Sequence, residues 1–273
     1  MPLCSILVHL NSADRSTMRL KIAVDLARAH GARLTGLFAQ VTAPHQVGMV
    51  ADWPPADYVQ AAGANRAAFL EATKDLEAEW IDVNRGDEGE ILRLATDFAR
   101  HFDLIVIGQR RPDNSLHPPE FAEHLIVNSG RPVLVLPYAG EFPTIGTRPI
   151  FAWSDSASSA RGFADGMMLV APGAVALVVN LSKADDEKGA AYQKESLRLA
   201  AAHLAAHKIA AHAEQLTLDE IGLMDALLNR VADHGADLLT IGAFGGGGYP
   251  LFSRGSGSRY MLKHMTAPVL FSH

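Results

Sequence analysis

Residues 102–108 read FDLIVIG, and residues 236–242 read ADLLTIG. Each stretch is an acid followed by a short apolar run that ends on glycine. Neither run alternates apolar with polar residues, which predicts strands covered on both faces rather than half-solvated ones. Downstream, RPVLVLP at 131–137 is answered by APVLFSH at 267–273, and upstream SILVHLNS at 5–12 is answered by PIFAWSDS at 149–156. The offsets are 134, 136 and 144 residues, and the pieces keep their order. The chain therefore reads as a tandem duplication whose length differences fall in loops. A linker is expected near YAGEFPTIGTRP, 138–149, where proline, glycine and threonine replace the apolar run. The expected domains are residues 1–140 and 147–273.

Within each half, apolar runs alternate with segments of helical period. The first half predicts strands at about 4–10, 33–39, 80–84, 103–107 and 132–136, with helices at about 15–30, 57–79, 88–101 and 119–129. The second predicts strands near 149–154, 174–180, 208–214, 237–241 and 268–272, with helices near 157–170, 185–206, 218–234 and 256–265. Strands joined through helices pair in parallel by right-handed crossovers. The expected fold class is α/β, with two tandem doubly wound domains, each a five-stranded parallel sheet flanked by helices.

Composition fits that reading. The chain has 273 residues, enough for two domains of ordinary size. Apolar residues make up 48% and charged residues 20%, too hydrophobic for a disordered chain. A formal net charge of -6 argues against a general binder of nucleic acid or anionic membrane, which needs a basic surface. The single cysteine, Cys4, cannot form an internal disulfide, so a reducing cytoplasm is the expected compartment, with Cys4 a small buried side chain. The opening MPLCSILVHL has no basic n-region or small-residue cleavage site, and no stretch approaches the ~20 apolar residues of a membrane span.

The second glycine-ended strand runs into IGAFGGGGYPLFSRGSGSRY, residues 241–260, of which seven are glycine. Ligands of open α/β sheets bind outside the carboxyl ends of the strands, where this segment lies. Gly242 is positioned to turn the chain off the strand, and Gly245 removes a side chain where a phosphate could meet backbone N–H groups. Gly255 and Ser256 open a helix whose unpaired N–H groups and positive dipole end favour an anion. This geometry suits a nucleotide polyphosphate.

The order strand, G-x2-G-x9-G-S, helix, PVL strand resembles the universal stress protein family, specifically its ATP-binding branch. The resemblance spans essentially the whole chain as two tandem domains and implies the adenine nucleotide alpha hydrolase-like fold. It implies phosphate and ribose contacts at Gly242, Gly245, Gly255 and Ser256, with Arg254 the cation nearest the helix start. It places the adenine near the end of the domain's first strand. There the family has an aspartate followed by Gly-Ser, whereas AWSDS puts Ser154 on the aspartate position and Asp155 on the glycine. Val179 and Asn180 fall where the family sets backbone groups against the base. The implied cofactor is ATP, and Asp155 is the candidate to hold Mg2+ beside the phosphates. No catalytic grouping can be assembled from the motif positions and no Walker lysine follows the glycines, so the expected role is regulatory, with at most weak hydrolysis. The alternative is an interaction module of the same fold whose sites stay empty. Family members often dimerise through the last strand, which implies an intramolecular pseudo-dimer of the two halves, with a homodimer as a further possibility.

The first half departs from the motif. IGQRRPDNSLHPPEFAEH keeps Gly108, has Arg111 where the second glycine belongs, and ends with Pro119 and Glu120 in place of Gly-Ser. Arg111 is expected to fill the backbone approach and Glu120 to repel a phosphate, and Asn11, at the first-strand aspartate position, does not restore the site. The first domain is therefore expected not to bind ATP. His203 and His207, four apart on one helical face, are expected to be solvated rather than metal ligands, as are His117 and His124. Trp53 is expected to pack.

Overall fold

The computed structural model describes residues 3–47, 50–112, 116–183, 187–218, 222–244 and 256–273. Two compact units divide it, Met1–Tyr138 and Ala139–His273.

The first unit runs β1 (Ser5–Leu10), α1 (Ser16–His30), β2 (Arg33–Phe38), a hairpin of β3 (His45–Val47) and β4 (Val50–Asp52), α2 (Ala56–Ala72), β5 (Ala78–Asp82), α3 (Glu88–Ala99), β6 (Leu104–Gly108), α4 (Phe121–Asn128) and β7 (Val133–Leu136). Its sheet order is β7-β6-β1-β2-β5, every neighbouring pair parallel. The second unit runs β8 (Pro149–Trp153), α5 (Ala157–Gly166), a short 3-10 turn at Met167–Leu169, β9 (Val175–Lys183), α6 (Glu187–Ala206), β10 (Ala210–Leu218), α7 (Leu223–His234), β11 (Leu238–Gly242), α8 (Ser256–His264) and β12 (Val269–Ser272). Its order is β10-β9-β8-β11-β12, again parallel throughout. Both sheets reverse their winding beside the first strand, so the β1/β6 and β8/β11 ends are the topological switch points where α/β folds place ligands.

The uniform apolar runs are buried as expected: Ile6 to Val8, Leu104 to Ile107 and Leu238 to Leu239 are each at most 1% exposed. Helices cover the sheet faces. In the second unit Phe151 and Phe163 meet at 4.9 Å within a cluster that includes Val178 and Leu204. In the first unit Trp53 packs against a cluster of Phe38, Tyr58 and Ala62.

Three expectations change. The helix expected over 57–79 stops at Ala72, because Thr73 caps it with both its N–H and its Oγ1 donating to Phe69 O, at 3.0 and 2.8 Å. The helix expected from 218 begins at Leu223, because β10 continues to Leu218 in register with Lys183. Cys4 is exposed rather than buried, since it stands one residue ahead of the sheet.

Register also corrects the repeat. Leu7 lies beside Ile105, and Ile150 lies beside Leu239, so β1 and β8 are related by 143 residues and not 144. Asn11 then corresponds to Ser154, and Arg19 to Gly162.

The repeated Asp-Leu has a structural cause. Asp103 Oδ2 accepts from the backbone of Cys4 and Ser5 and from Ser5 Oγ, at 3.0 to 3.1 Å, tying the start of β6 to the start of β1. Asp237 does the same for β8, accepting from the N–H groups of Thr147 and Arg148 and from the hydroxyls of Thr144 and Thr147, at 2.6 to 2.9 Å. Burial alone would raise the Asp237 carboxyl, but these donors outweigh it and hold it below the ordinary aspartate value. A depressed carboxyl contributes stability above its unfolded pKa of about 3.9 that is lost as pH falls further. Asp237→Ala is expected to destabilise the second unit by about 2 kcal/mol at pH 7, because four donors lose a charged acceptor. The deficit should shrink below pH 4. A denaturant midpoint unchanged from wild type at pH 7 would contradict it.

Candidate functional site

In the second unit the switch-point crevice is bounded by the ends of β8, β9 and β11 and the first turns of α5 and α8. The chain leaves β8 through Ser154 and Asp155 into a capping box, in which Ser156 Oγ accepts from Ser159 N–H and Ser159 Oγ accepts from Ser156 N–H. Ser154 Oγ joins this hydroxyl cluster 3.0 Å from Ser156 Oγ. Asp155 has a left-handed backbone, φ 51°. That explains why the resemblance sets glycine there, and aspartate is among the few other residues that tolerate it. The Asp155 carboxylate accepts hydrogen bonds from Tyr192 Oη at 2.6 Å and Ser196 Oγ at 3.0 Å, both on α6. Its oxygens are thus engaged with the helix covering the sheet.

On β9, Val179 is fully buried between its strand partners Ala152 and Glu214. Asn180, paired in register with Trp153, donates through Nδ2 to Trp153 O at 3.0 Å. Its Oδ1 is buried with no hydrogen-bond partner among the described residues. The Ser256 hydroxyl, on the first residue of α8, is likewise shielded and unpartnered. Buried polar atoms are usually satisfied; others here are not, Thr35 Oγ1 and Ser272 Oγ among them, and these two stand out by falling at positions singled out from sequence.

Gly242 has a reason to be glycine other than the expected turn. A Cβ there would overlap the backbone of Ser158 and Ser159 in the first turn of α5, and a Cβ on Gly162, one helical turn on, would come within 3.2 Å of Gly242 N. Glycine faces glycine so that α5 can reach the strand end. The left-handed turn comes two residues later at Phe244, φ 52°, whose N–H donates to Ser258 Oγ at 3.0 Å. Gly245, Arg254 and Gly255 lie outside the described residues.

The first unit's crevice is built differently. Arg19 of α1 is 2% exposed and occupies the position of Gly162. Its Nε donates to His9 O at 2.5 Å and its Nη2 to Asn11 Oδ1 at 3.1 Å. A Cβ on Gly108 would overlap its Nη1. The group seated against Gly108 is therefore Arg19, and Arg111, expected to fill that space, lines a cavity of about 300 Å³ instead. Glu120 is the exposed, left-handed cap residue of α4. His117, expected to be solvated, is buried in the cavity wall with its ring 5.1 Å from that of buried His9. Burial first, then the charges of Arg19 and Arg110, push the His117 pKa down to about 3. Burial, His117 and Arg19 likewise hold His9 well below the ordinary value. Reading the helix alone missed Arg19, although a signal existed: it is a charge on the buried stripe of α1, alongside Leu20, Ala23 and Ala27. On α6, the His203 and His207 rings meet edge to face at 4.9 Å, and among the described residues no three His, Cys, Asp or Glu are placed to hold a metal ion.

Comparison with solved structures now decides the fold. A universal stress protein from Archaeoglobus fulgidus DSM 4304 superposes with TM-score 0.70 at 16% identity, covering 98% of this chain and 95% of that one. The chain has the universal stress protein fold. A functionally unknown protein from Pseudomonas aeruginosa PAO1 shares it, with TM-score 0.61 and 16% identity, covering 99% of this chain and 92% of its own. No family model and no curated protein matches the sequence. The universal stress protein fold thus spans both units, at an identity too low to carry residue roles across. No described helix is long and apolar enough to cross a membrane.

Two outcomes follow from this geometry. Gly242→Ala is expected to cost about 2 kcal/mol through overpacking against α5, read as a lower melting temperature, whereas Gly257→Ala, which meets only the flexible Met224 side chain, should cost much less. Because the folded pKa values of His9 and His117 lie below the unfolded one, their contribution to stability is present above about pH 6.5 and is lost as pH falls. Imidazole NMR shifts of both residues should stay flat from pH 8 to 5; a midpoint near 6.5 for either would disprove the burial argument.

Proposed function

We propose that the chain is a regulatory, adenine-nucleotide-binding protein of the universal stress type, with ATP held by the second unit. The observation that carries this is the pair of orphaned polar atoms, Asn180 Oδ1 and Ser256 Oγ, at the strand and helix ends that bound the crevice. An acceptor beside the end of β8 suits the amino group of adenine, and a hydroxyl at a helix N-terminus suits phosphate. Ser154 supplies a further hydroxyl, Val179 supplies backbone, and Gly242, Gly245, Arg254, Gly255 and Ser256 form the phosphate end. Of these, Gly245, Arg254 and Gly255 have support from position in the sequence alone. Mg2+ would accompany the phosphates, with Asp155 as the available carboxylate. Reaction chemistry is no part of the proposal: occupancy orders the glycine-rich segment and alters the surface offered to a partner.

One observation favours the second reading, an interaction module with empty crevices: both Asp155 oxygens already accept from α6. Ligand-dependent melting separates the two. At a hundredfold excess over Kd, MgATP would add about 2.7 kcal/mol to stability and raise the melting temperature by several degrees. Asn180→Ala is expected to weaken the effect about tenfold in Kd, and Gly245→Arg to abolish it. Identical melting with and without 5 mM MgATP, from protein shown by acid extraction to carry no nucleotide, would leave the interaction module as the reading.

A further inference from the structure

The first-unit cavity contains a charge that no acidic group among the described residues pairs with. Arg19 is buried, its Nε and Nη2 hydrogen bonds end on neutral oxygens of His9 and Asn11, and no carboxylate among the described residues pairs with it. Burial lowers its pKa to about 10, so it is still a cation at neutral pH. A buried cation is costly without a counter-charge. Its third nitrogen, Nη1, lies where Gly108 leaves room, and both residues belong to the cavity wall. Half-buried Arg15 and Arg111 stand on the same wall, with Asp14 the single acid among the lining residues. Among the described residues the cavity wall thus carries three arginines and one aspartate, in a chain whose net charge is -6. Such a local reversal focuses field on an anion.

Size and roofing set the class of anion. About 300 Å³ is at the small end for ligand cavities. Between the ends of β1 and β2, Gln40 Oε1 accepts from both Ser12 N–H and Ser12 Oγ, at 3.0 and 2.8 Å. Val41 N–H donates to Leu116 O at 3.0 Å, so the segment after β6 crosses the end of β2. These bonds hold Ser12 and Leu116, which line the cavity on the side of β2. We propose that the first-unit cavity binds a compact oxyanion, inorganic phosphate or the phosphate of a small ester, with Arg19 as its buried anchor and Arg15 and Arg111 completing the cradle. The planar guanidinium supplies paired N–H donors that match such an anion, which a lysine would not.

The test is a melting and calorimetry series with sodium phosphate, glycerol phosphate, AMP and succinate, each against chloride at equal ionic strength. Phosphate or glycerol phosphate should raise the melting temperature beyond the chloride control, and the tighter of the two identifies the free ion or the ester. Arg111→Gln should weaken binding about tenfold, Arg19→Met should remove it with the far-ultraviolet dichroism unchanged, and Gly245→Arg in the second unit should leave it intact. Selenate soaked into wild-type crystals should give anomalous density within hydrogen-bond distance of the Arg19 guanidinium, which keeps the question open to decision if Arg19→Met does not fold. No excess over chloride, an equal response in Arg19→Met, loss in Gly245→Arg, AMP or succinate binding as tightly as phosphate, or an Arg19 guanidinium without selenate would each overturn the proposal.

Discussion

The closeness with which the first helix of each unit meets the end of the fourth sheet strand governs what each crevice can hold. That strand ends on glycine in both halves, Gly108 and Gly242, and in both the space a side chain would take is already filled by the helix. In the second unit the filler is helix backbone, since Gly162 and the Ser158–Ser159 peptide press against Gly242. In the first it is the guanidinium of Arg19. One exchange at equivalent positions, glycine for arginine, separates a neutral floor from a buried cation.

This contrast changes the meaning of a degenerate motif. By spacing alone the first half has lost its second glycine and its Gly-Ser, and reads as a site filled in. The folded unit keeps a cavity there, lined by arginines, and the residue that sets its charge comes from α1 rather than from the loop after β6. Loss of one ligand's geometry is compatible with gain of another's, because the crevice at a switch point is a consequence of topology and survives changes in the loops around it.

The tie between Asp103 and the start of β1, and its counterpart at Asp237, shows the same economy at the opposite ends of the strands. A single carboxylate gathers the N–H groups that a parallel strand leaves unpaired where it begins. The acid recurs in sequence because the need recurs in structure. Its position just before each apolar run makes the duplication visible in the sequence.

Fold class, the tandem repeat and the approximate place of each sheet strand were legible in the sequence, since uniformly apolar runs separated by helical periods can bury their faces in few ways. Boundaries were less so: Thr73 ends α2 through a local hydrogen bond, and β10 runs on to Leu218 because a neighbouring strand pairs with it. The hairpin of β3 and β4 gave no signal, being two three-residue strands without alternation. Among site residues, the motif spacing located Gly242, Asn180 and Ser256, but only the folded chain orphaned the Asn180 and Ser256 side-chain oxygens and turned the Asp155 carboxylate toward α6. His117 is distant in sequence from His9 and Arg19, and no periodicity announces that it meets the His9 ring and lines one cavity with Arg19. Sequence determines which segments must be covered; which charges end up covered together is decided when helices and strands distant along the chain close on one another.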